Sequence, residues 1–385
     1  VRELIHSNRM KANFHLIKKS LGMDWPRRKT KAVFIGGVQI GGGAPVVIQS
    51  MTKTDTRNVR ATITQINRLT QTGCQIVRVG IPDEEAALAL REIKREIALP
   101  LIADIHFQPR LALLALEYGV DGLRINPGTI GPRAKLKEIV GLAKERQVPI
   151  RIGVNAGSLE KELLAKYGQP TAEAMVESAL RHIRLLEDMD FDLIKVSLKA
   201  SDIARTVAAY RLLAQQVDYP FHAGITEAGP LLRGTIKSVA GLTLLLREGL
   251  VDTFRISLTA PPEEEVRVAQ LLLASLGLGS FGPELISCPI CSRCEVDLAQ
   301  IVKKVEESLS GIRESITVAV MGCMVNGPGE AREADVGVAC GRGVGVIFKK
   351  GRVLRKVKEE MIVTELLKEV QEFLRDRSDR RKKEK

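Results

Sequence analysis

The run SCPICSRCE at residues 287–295 spaces Cys288, Cys291 and Cys294 at intervals of three. A C-x2-C turn lets two thiolates face one metal, as in zinc and iron–sulfur sites. Further on, GCMVNGPGE (322–330) carries Cys323 at an expected strand end, then a tight NGPG turn and Glu330. On residue type alone, two donor sets stay open. Cys288, Cys291, Cys294 and Cys323 make a closed four-thiolate site, either structural zinc or an electron-transfer cluster. Cys288, Cys291 and Cys323 with Glu330 make a site whose carboxylate is harder and more easily displaced from iron, so that a substrate oxygen can enter. Cys340, inside VGVACG, and Cys74, ahead of an expected strand, read as packing.

A second chemistry runs through residues 46–259, where eight short β-branched runs end in polar residues. Their ends carry Thr52 and Arg57, then Arg78, then Asp104 and His106, then Arg124 and Asn126. Arg151 and Asn155 follow, then Lys195, Ser197 and Lys199, then His222, Thr226 and Glu227, and finally Arg255 and Ser257. Singly, each has a dull reading as an interlayer salt bridge or a satisfied core residue. Together they suit an anion, because arginine's planar fork matches phosphate oxygens in pairs and lysine adds a mobile charge. Such a rim is stocked for a diphosphate. Glu227 is the odd acid on it, a proton donor or base, or a charge-balancing partner for a rim arginine.

Positioning these residues requires strands that alternate with helices. Stretches such as EEAALALREIKREIA and AEAMVESALRHIRLLEDM, between the runs, place apolar residues near every third or fourth position. Eight such repeats predict an α/β chain with a (β/α)8 TIM barrel, whose chemistry sits at the C-terminal strand ends. IGGVQIGGGAP (35–45) precedes the first barrel strand and opens no helix, so it reads as a hairpin capping the barrel's bottom. After a Gly/Pro/Ser-punctuated linker the pattern changes to a helix, several short strands and a closing helix, a small α+β domain. The expected division is an N-terminal segment at 1–30, the barrel at 31–275, a linker at 276–287, a cysteine-bearing domain at 288–375 and a basic tail at 376–385.

Hydrophobic residues make up 45% of the 385, enough for a sizeable core, and no run approaches the ~18 apolar residues of a membrane span. The first residues, VRELIHSNRMKANFHLIKK, lack the apolar centre of a signal peptide. Six cysteines in so long a chain, five of them after residue 287, favour metal in a reducing, cytoplasmic compartment over disulfides. The formal charge is +12, part of it in the tail RDRSDRRKKEK, which reads as solvated and disordered. With 4% aromatics and no aromatic–basic interleaving, a stacking nucleic-acid surface finds little support.

CPICSRCE, GCMVNGPGEA, RIGVNAGSLEKELLAKYG, VSLKASD, GITEAG and GLRINPG together resemble the bacterial hydroxymethylbutenyl diphosphate synthase family, in order from about residue 30 to residue 350. The resemblance is to its compact two-domain type. It implies reductive opening and dehydroxylation of 2-C-methyl-D-erythritol 2,4-cyclodiphosphate by a [4Fe-4S] cluster, in isoprenoid biosynthesis. It implies Cys288, Cys291, Cys323 and Glu330 as cluster ligands, with Cys294 a bystander. It implies phosphate binding by Arg57, Arg124, Arg151, Lys199 and Ser257, with Asn126 and Asn155 nearby, and proton delivery by Glu227. It further implies a head-to-tail homodimer in which one subunit's barrel meets its partner's cluster, and flavodoxin or ferredoxin as electron donor. Two other readings fit part of the sequence: an aldolase-like phosphate-binding barrel with a structural zinc, using Lys195 or Lys199 for a Schiff base, and a zinc ribbon with a basic tail on nucleic acid.

Overall fold

The computed structural model describes residues 25–126, 128, 130–324, 329 and 331–383. The segment 1–24, Glu330 and most of the NGPG turn lie outside the described residues. The chain divides into two compact units, at Leu278 and Gly279.

In the first unit a hairpin, β1 (Ala32–Ile35) and β2 (Val38–Gly41), precedes eight parallel strands. These are β3 (Val47–Met51), β4 (Ile76–Ile81), β5 (Leu101–Ile105), β6 (Gly122–Ile125), β7 (Ile150–Asn155), β8 (Ile194–Lys199), β9 (His222–Ala223) and β10 (Thr253–Phe254). They pair in the order β8-β7-β6-β5-β4-β3-β10-β9, and a parallel bridge from Val196 to Phe221 joins the two edges into a ring. Helices α1 (Val59–Thr72), α2 (Glu84–Glu96), α3 (Pro109–Glu117), α4 (Arg133–Glu145), α5 (Lys161–Tyr167), α6 (Ala172–Glu187), α7 (Ile203–Ala214), α8 (Leu231–Arg247) and α9 (Pro262–Ser275) fill the connections. The (β/α)8 barrel is therefore present, all eight expected strands included. β9 and β10 are much shorter than the runs that announced them. At Gly224 the backbone passes so near the Arg255 carbonyl that a Cβ would lie 2.7 Å from it.

Local chemistry starts the helices where strands end. Asn58 accepts from Ala61 N at 3.1 Å, Asp83 from Ala86 N at 3.0 Å and Asp202 from Arg205 N at 2.6 Å, each satisfying an otherwise orphaned amide. Outward strand residues such as Val77, Ala103, Leu123, Ile150 and Val196 pack with the helices in one continuous core. The barrel interior differs from the usual stack of branched apolar layers. Only its lower end is apolar: Val47, Ile76 and Ile102 pack against Val33, Ile35 and Ile40 of the hairpin, which plugs that end. Above this plug most inward positions are charged or polar, with Met51 and small glycines among them.

The second unit is a five-stranded sheet, β11 (Glu284–Ser287), β12 (Thr317–Met321), β13 (Val336–Gly341), β14 (Val344–Lys349) and β15 (Arg352–Lys358). β11, β12 and β13 run parallel; β14 and β15 return antiparallel. Helices α10 (Leu298–Leu309) and α11 (Ile362–Lys383) contribute Leu298, Val305, Ile362, Leu366 and Val370 to the core, against Val318, Val320, Val338 and Ile347 of the sheet. Strand β11 falls inside the segment expected as linker. The tail expected to be disordered instead extends α11 as far as Lys383, where Arg377 donates to the Ser315 carbonyl at 2.6 Å and Asp376 pairs with Lys349 at 3.4 Å. Two specific tertiary contacts outweigh its polar composition there. Among the described residues no helix is long and apolar enough to cross a membrane.

The seam between β8 and β9 rests on Tyr210 of α7, whose hydroxyl donates to the His222 carbonyl at 2.7 Å and accepts from Leu198 N at 3.1 Å. Tyr210→Phe strands both backbone groups in a buried setting and should cost about 1–3 kcal/mol. Urea unfolding followed by fluorescence of Trp25, the sole tryptophan, reports on this unit; an unchanged midpoint would refute the role given to the hydroxyl.

Candidate functional site

The strand register assembles the ionic layer. Asp104 pairs with Arg124, Arg124 with Arg151 and Arg151 with Lys195 on four consecutive strands. Their neighbours in sequence point outward into the helix-covered core, so all four side chains point inward. All four are buried, as are Arg78 of β4, Lys199 of β8 and His222 of β9. Two glycines make room. A Cβ on Gly153 would lie 2.6 Å from Arg124 Nε, and one on Gly224 would lie 3.0 Å from Lys199 Nζ.

Charge in this layer is unbalanced. Asp104 takes Arg124 at 3.1 Å and Arg78 at 3.5 Å. Arg255 is held separately by Glu265 at 3.1 Å, and Glu265 also takes Lys53 at 3.0 Å and Leu258 N at 3.0 Å. Among the described residues, Arg151, Lys195 and Lys199 have no carboxylate within salt-bridge distance, and Arg151 Nε and one terminal nitrogen, Arg124 Nε and Lys195 Nζ are buried without a hydrogen-bond partner. Five buried basic side chains of this layer thus share one salt-bridging carboxylate, Asp104. Buried polar atoms without partners cost free energy, and here every one of these is a donor.

Protonation follows from that imbalance. Burial alone would raise the Asp104 carboxyl, but Arg78, Arg124 and Arg151 together hold it at about 2. Burial, then neighbouring Arg151 and Arg78, pushes Lys195 and Lys199 well below the ordinary lysine range. Arg78 falls to about 10 by the same burial. His222 is driven well below its usual value, chiefly by burial and then by Lys199. Its Nδ1 meets Thr253 Oγ1 at 2.6 Å and its Nε2 lies 3.5 Å from Lys199 Nζ. His106, lowered by burial and then by Arg124, contacts the Arg124 guanidinium with its ring.

Over β3, β4 and β5 opens a cavity of about 590 Å³, walled by Met51, Thr52, Arg57, Asp104, His106 and Phe107 among others. Asp104 and His106 connect this wall to Arg124 behind it. Arg57 is half-exposed and already engaged, bidentate to Asp55 at 2.9 and 2.7 Å and 3.3 Å from Asp83. Asn155 ends β7 opposite Lys199, Asn126 follows β6, and Ser257 lies in the partly buried loop after β10. Glu227 is exposed in the loop after β9, with φ +52°, a left-handed conformation that costs a non-glycine residue strain. Among the described residues it joins no salt bridge. The structure thus brings Arg124, Arg151 and Lys199 into one buried layer and leaves Arg57 and Glu227 on the rim. Glu265 escaped the sequence reading because it stands in an acidic first turn. It nonetheless falls on the buried stripe Pro262, Glu265, Val266, Ala269 of α9, a periodicity that marks it as inward.

In the second unit, β11 and β12 run parallel, so Cys288 and Cys323 leave the same end of the sheet. Gly322 N donates to Cys288 Sγ at 3.1 Å, and a Cβ on Gly322 would sit 2.9 Å from Cys294 Sγ. Cys294 N donates to the Cys291 carbonyl at 2.9 Å, closing the CxxCxxC turn. Cys291 is exposed; Cys288, Cys294 and Cys323 are partly buried. Cys340 lies in the core beneath them, its thiol pushed up to about 12 by burial and then by Cys294. Cys74 is likewise buried, pushed up to about 11 by burial. Among the described residues, no three Cys, His, Asp or Glu side chains form a metal-holding group by themselves. The donor chemistry fits a cluster, since soft sulfurs gather at one sheet end with a backbone amide aimed at one of them.

A (β/α)8 barrel with an ionic interior, joined to a cysteine-bearing α+β unit, defines a two-domain barrel enzyme. Family models described as GcpE TIM-barrel domain and GcpE protein C-terminal domain match residues 30–270 and 284–372. A 4-hydroxy-3-methylbut-2-en-1-yl diphosphate synthase (flavodoxin) of Geobacter sulfurreducens is 57% identical over 351 residues, covering 91% of this chain and 99% of that one. The Thermodesulfovibrio yellowstonii protein of the same name is 57% identical over 344 residues, 89% of this chain and 99% of its own. The Bacillus anthracis one is 55% identical over 359 residues, 93% and 98%. The chain belongs to the GcpE family of 4-hydroxy-3-methylbut-2-en-1-yl diphosphate synthases.

Asp104→Asn leaves Arg78 and Arg124 buried without their carboxylate and should destabilise the barrel by about 3–5 kcal/mol. The sign with pH is fixed: a carboxyl lowered from 3.8 to about 2 stabilises above pH 4, and that share is lost as pH falls from 4 towards 2. Trp25-monitored unfolding across pH 2–7 should show the wild type losing this share in acid while Asp104→Asn lacks it throughout. Equal curves would refute the pairing.

Proposed function

We propose that the chain converts 2-C-methyl-D-erythritol 2,4-cyclodiphosphate to 4-hydroxy-3-methylbut-2-en-1-yl diphosphate, the product for which its family relatives are named. The observation that carries this reading is the barrel layer of five buried basic side chains sharing one salt-bridging carboxylate, which suits a multiply charged phosphate ester. Arg124, Arg151 and Lys199 take the diphosphate, with Asn126, Asn155 and Ser257 at the strand ends orienting it. Arg57 closes over it from the rim by exchanging Asp55 and Asp83 for phosphate oxygens. The exposed Glu227 delivers the proton with which the departing hydroxyl leaves as water. Its strained backbone supports a functional role, because strain of this kind persists where the surroundings impose it.

Cys288, Cys291, Cys323 and Glu330 are the residues to hold a [4Fe-4S] cluster. When bound, that cluster supplies the two electrons of the reduction one at a time. The Gly322 amide, which donates to the Cys288 sulfur, would tune it. Flavodoxin stands in the relatives' names as the electron partner, and a chain of charge +12 suits an acidic carrier of that kind or a ferredoxin. A head-to-tail homodimer, with the barrel of one subunit facing the cluster domain of the other, and a cytoplasmic setting complete the proposal.

Anaerobic absorption spectra with iron and sulfide analysis test the cofactor assignment. The wild type should carry four irons per chain and a broad band near 400 nm. Cys288→Ala should lose most of the iron, Glu330→Ala should alter the band, and Cys294→Ala should keep both. A colourless protein with one zinc would sink the reductase reading.

A further inference from the structure

The proposed diphosphate site leaves Arg78 and Lys195 unassigned; Arg78 pairs with Asp104, whereas Lys195 has no partner among the described residues. Lys195 lies four residues before Lys199 on β8, on the same inward face, and is 1% exposed. It ends the row that begins at Asp104, beside Arg151, and its Nζ has no hydrogen-bond partner. A lysine in such a place is costly: it gives up its hydration and receives no carboxylate in return. The one nearby acid, Asp252, is committed to Phe221 N at 2.8 Å and to Arg27 at 3.2 Å. No packing need explains the amine either, since methionine fills similar space without the polar end.

We propose that Lys195 is a further substrate-binding residue, the innermost cation of the barrel, reaching the diphosphate from below while Arg124, Arg151 and Lys199 hold it from the sides. The inference rests on the barrel-mouth reading above. A linkage follows from it. In the free protein Lys195 faces Arg151 of β7, Arg78 of β4 and His222 of β9, with Asp252 as the opposing charge, and burial with these cations disfavours its ammonium form. A diphosphate entering the layer reverses the balance, so binding draws a proton onto the amine. Affinity therefore falls as pH rises, because the proton becomes harder to supply.

The test uses the oxidised holoenzyme without reductant, so that nothing turns over. Titration calorimetry at pH 8 in Tris and in HEPES, buffers of different ionisation heat, reads both affinity and protons taken up. The probes are 2-C-methyl-D-erythritol 2,4-cyclodiphosphate and inorganic pyrophosphate. Lys195→Met should bind the cyclodiphosphate about ten- to a hundredfold more weakly, the scale of one charged hydrogen bond. It should also take up fewer protons and melt higher when free, because an unpaired buried amine is gone. Lys195→Gln serves in the same way should the methionine variant fail to fold.

Wild-type affinity with unchanged proton uptake in the variant overturns the assignment. So does weaker binding with unchanged uptake, the mark of a merely structural change. If Lys199→Met weakens binding while Lys195→Met does not, the barrel reading stands and Lys195 alone is excluded. If the wild type binds neither probe, the barrel reading fails and this inference with it.

Discussion

The barrel of this protein is organised around a shortage of negative charge. Five basic side chains are buried inside it, and one carboxylate, Asp104, forms salt bridges within their layer. Desolvating an unpaired ion costs several kcal/mol, so the rest of the fold must carry that burden. It does so with an outer core in which strand and helix faces are almost wholly apolar, and with a sealed lower end. Glycines stand where β-carbons would collide with the charges, and Glu265 reaches in from α9 to steady Arg255 and Lys53. On the proposed reading the layer is a preorganised counterpart to an anion, with stability given up for affinity.

Much of this was legible in the sequence. The eight β-branched runs announced the barrel because alternation and turn residues recur at regular intervals, and their last residues gave Arg124, Arg151 and Lys199. The hairpin at the bottom was legible from glycines that open no helix. What escaped was set by tertiary geometry. Arg57 reads like the other rim arginines, yet the turn that carries it also supplies Asp55, and the two pair locally. Glu265 looked like a helix-dipole acid. The basic tail reads as solvated, but the sheet end at Ser315 and Lys349 gives its helix something to grip. Strands β9 and β10 were overestimated because apolar pattern does not reveal where strand pairing stops.

The cysteine end obeys a different logic. Parallel pairing of β11 with β12 delivers two cysteines, far apart in sequence, to one edge, and Gly322 lies between the sulfurs of Cys288 and Cys294. The placement of Cys294 there was not evident from spacing, which made it only the third member of a series. A buried Cys340 beneath, kept protonated by its apolar setting, is chemically quiet.

The hairpin plug has a kinetic consequence. With Val33, Ile35 and Ile40 stopping the lower end, traffic through the barrel is two-way at the mouth. On the proposed reading, what enters as an anion departs as one past the same arginines and lysines that captured it, since the diphosphate survives the reaction. Grip that is too firm then slows the exit as much as it speeds the capture. The neutralisable lysines of the layer offer a way out: a cation that can surrender its proton loosens its hold, where a barrel lined with arginine alone would retain its cargo.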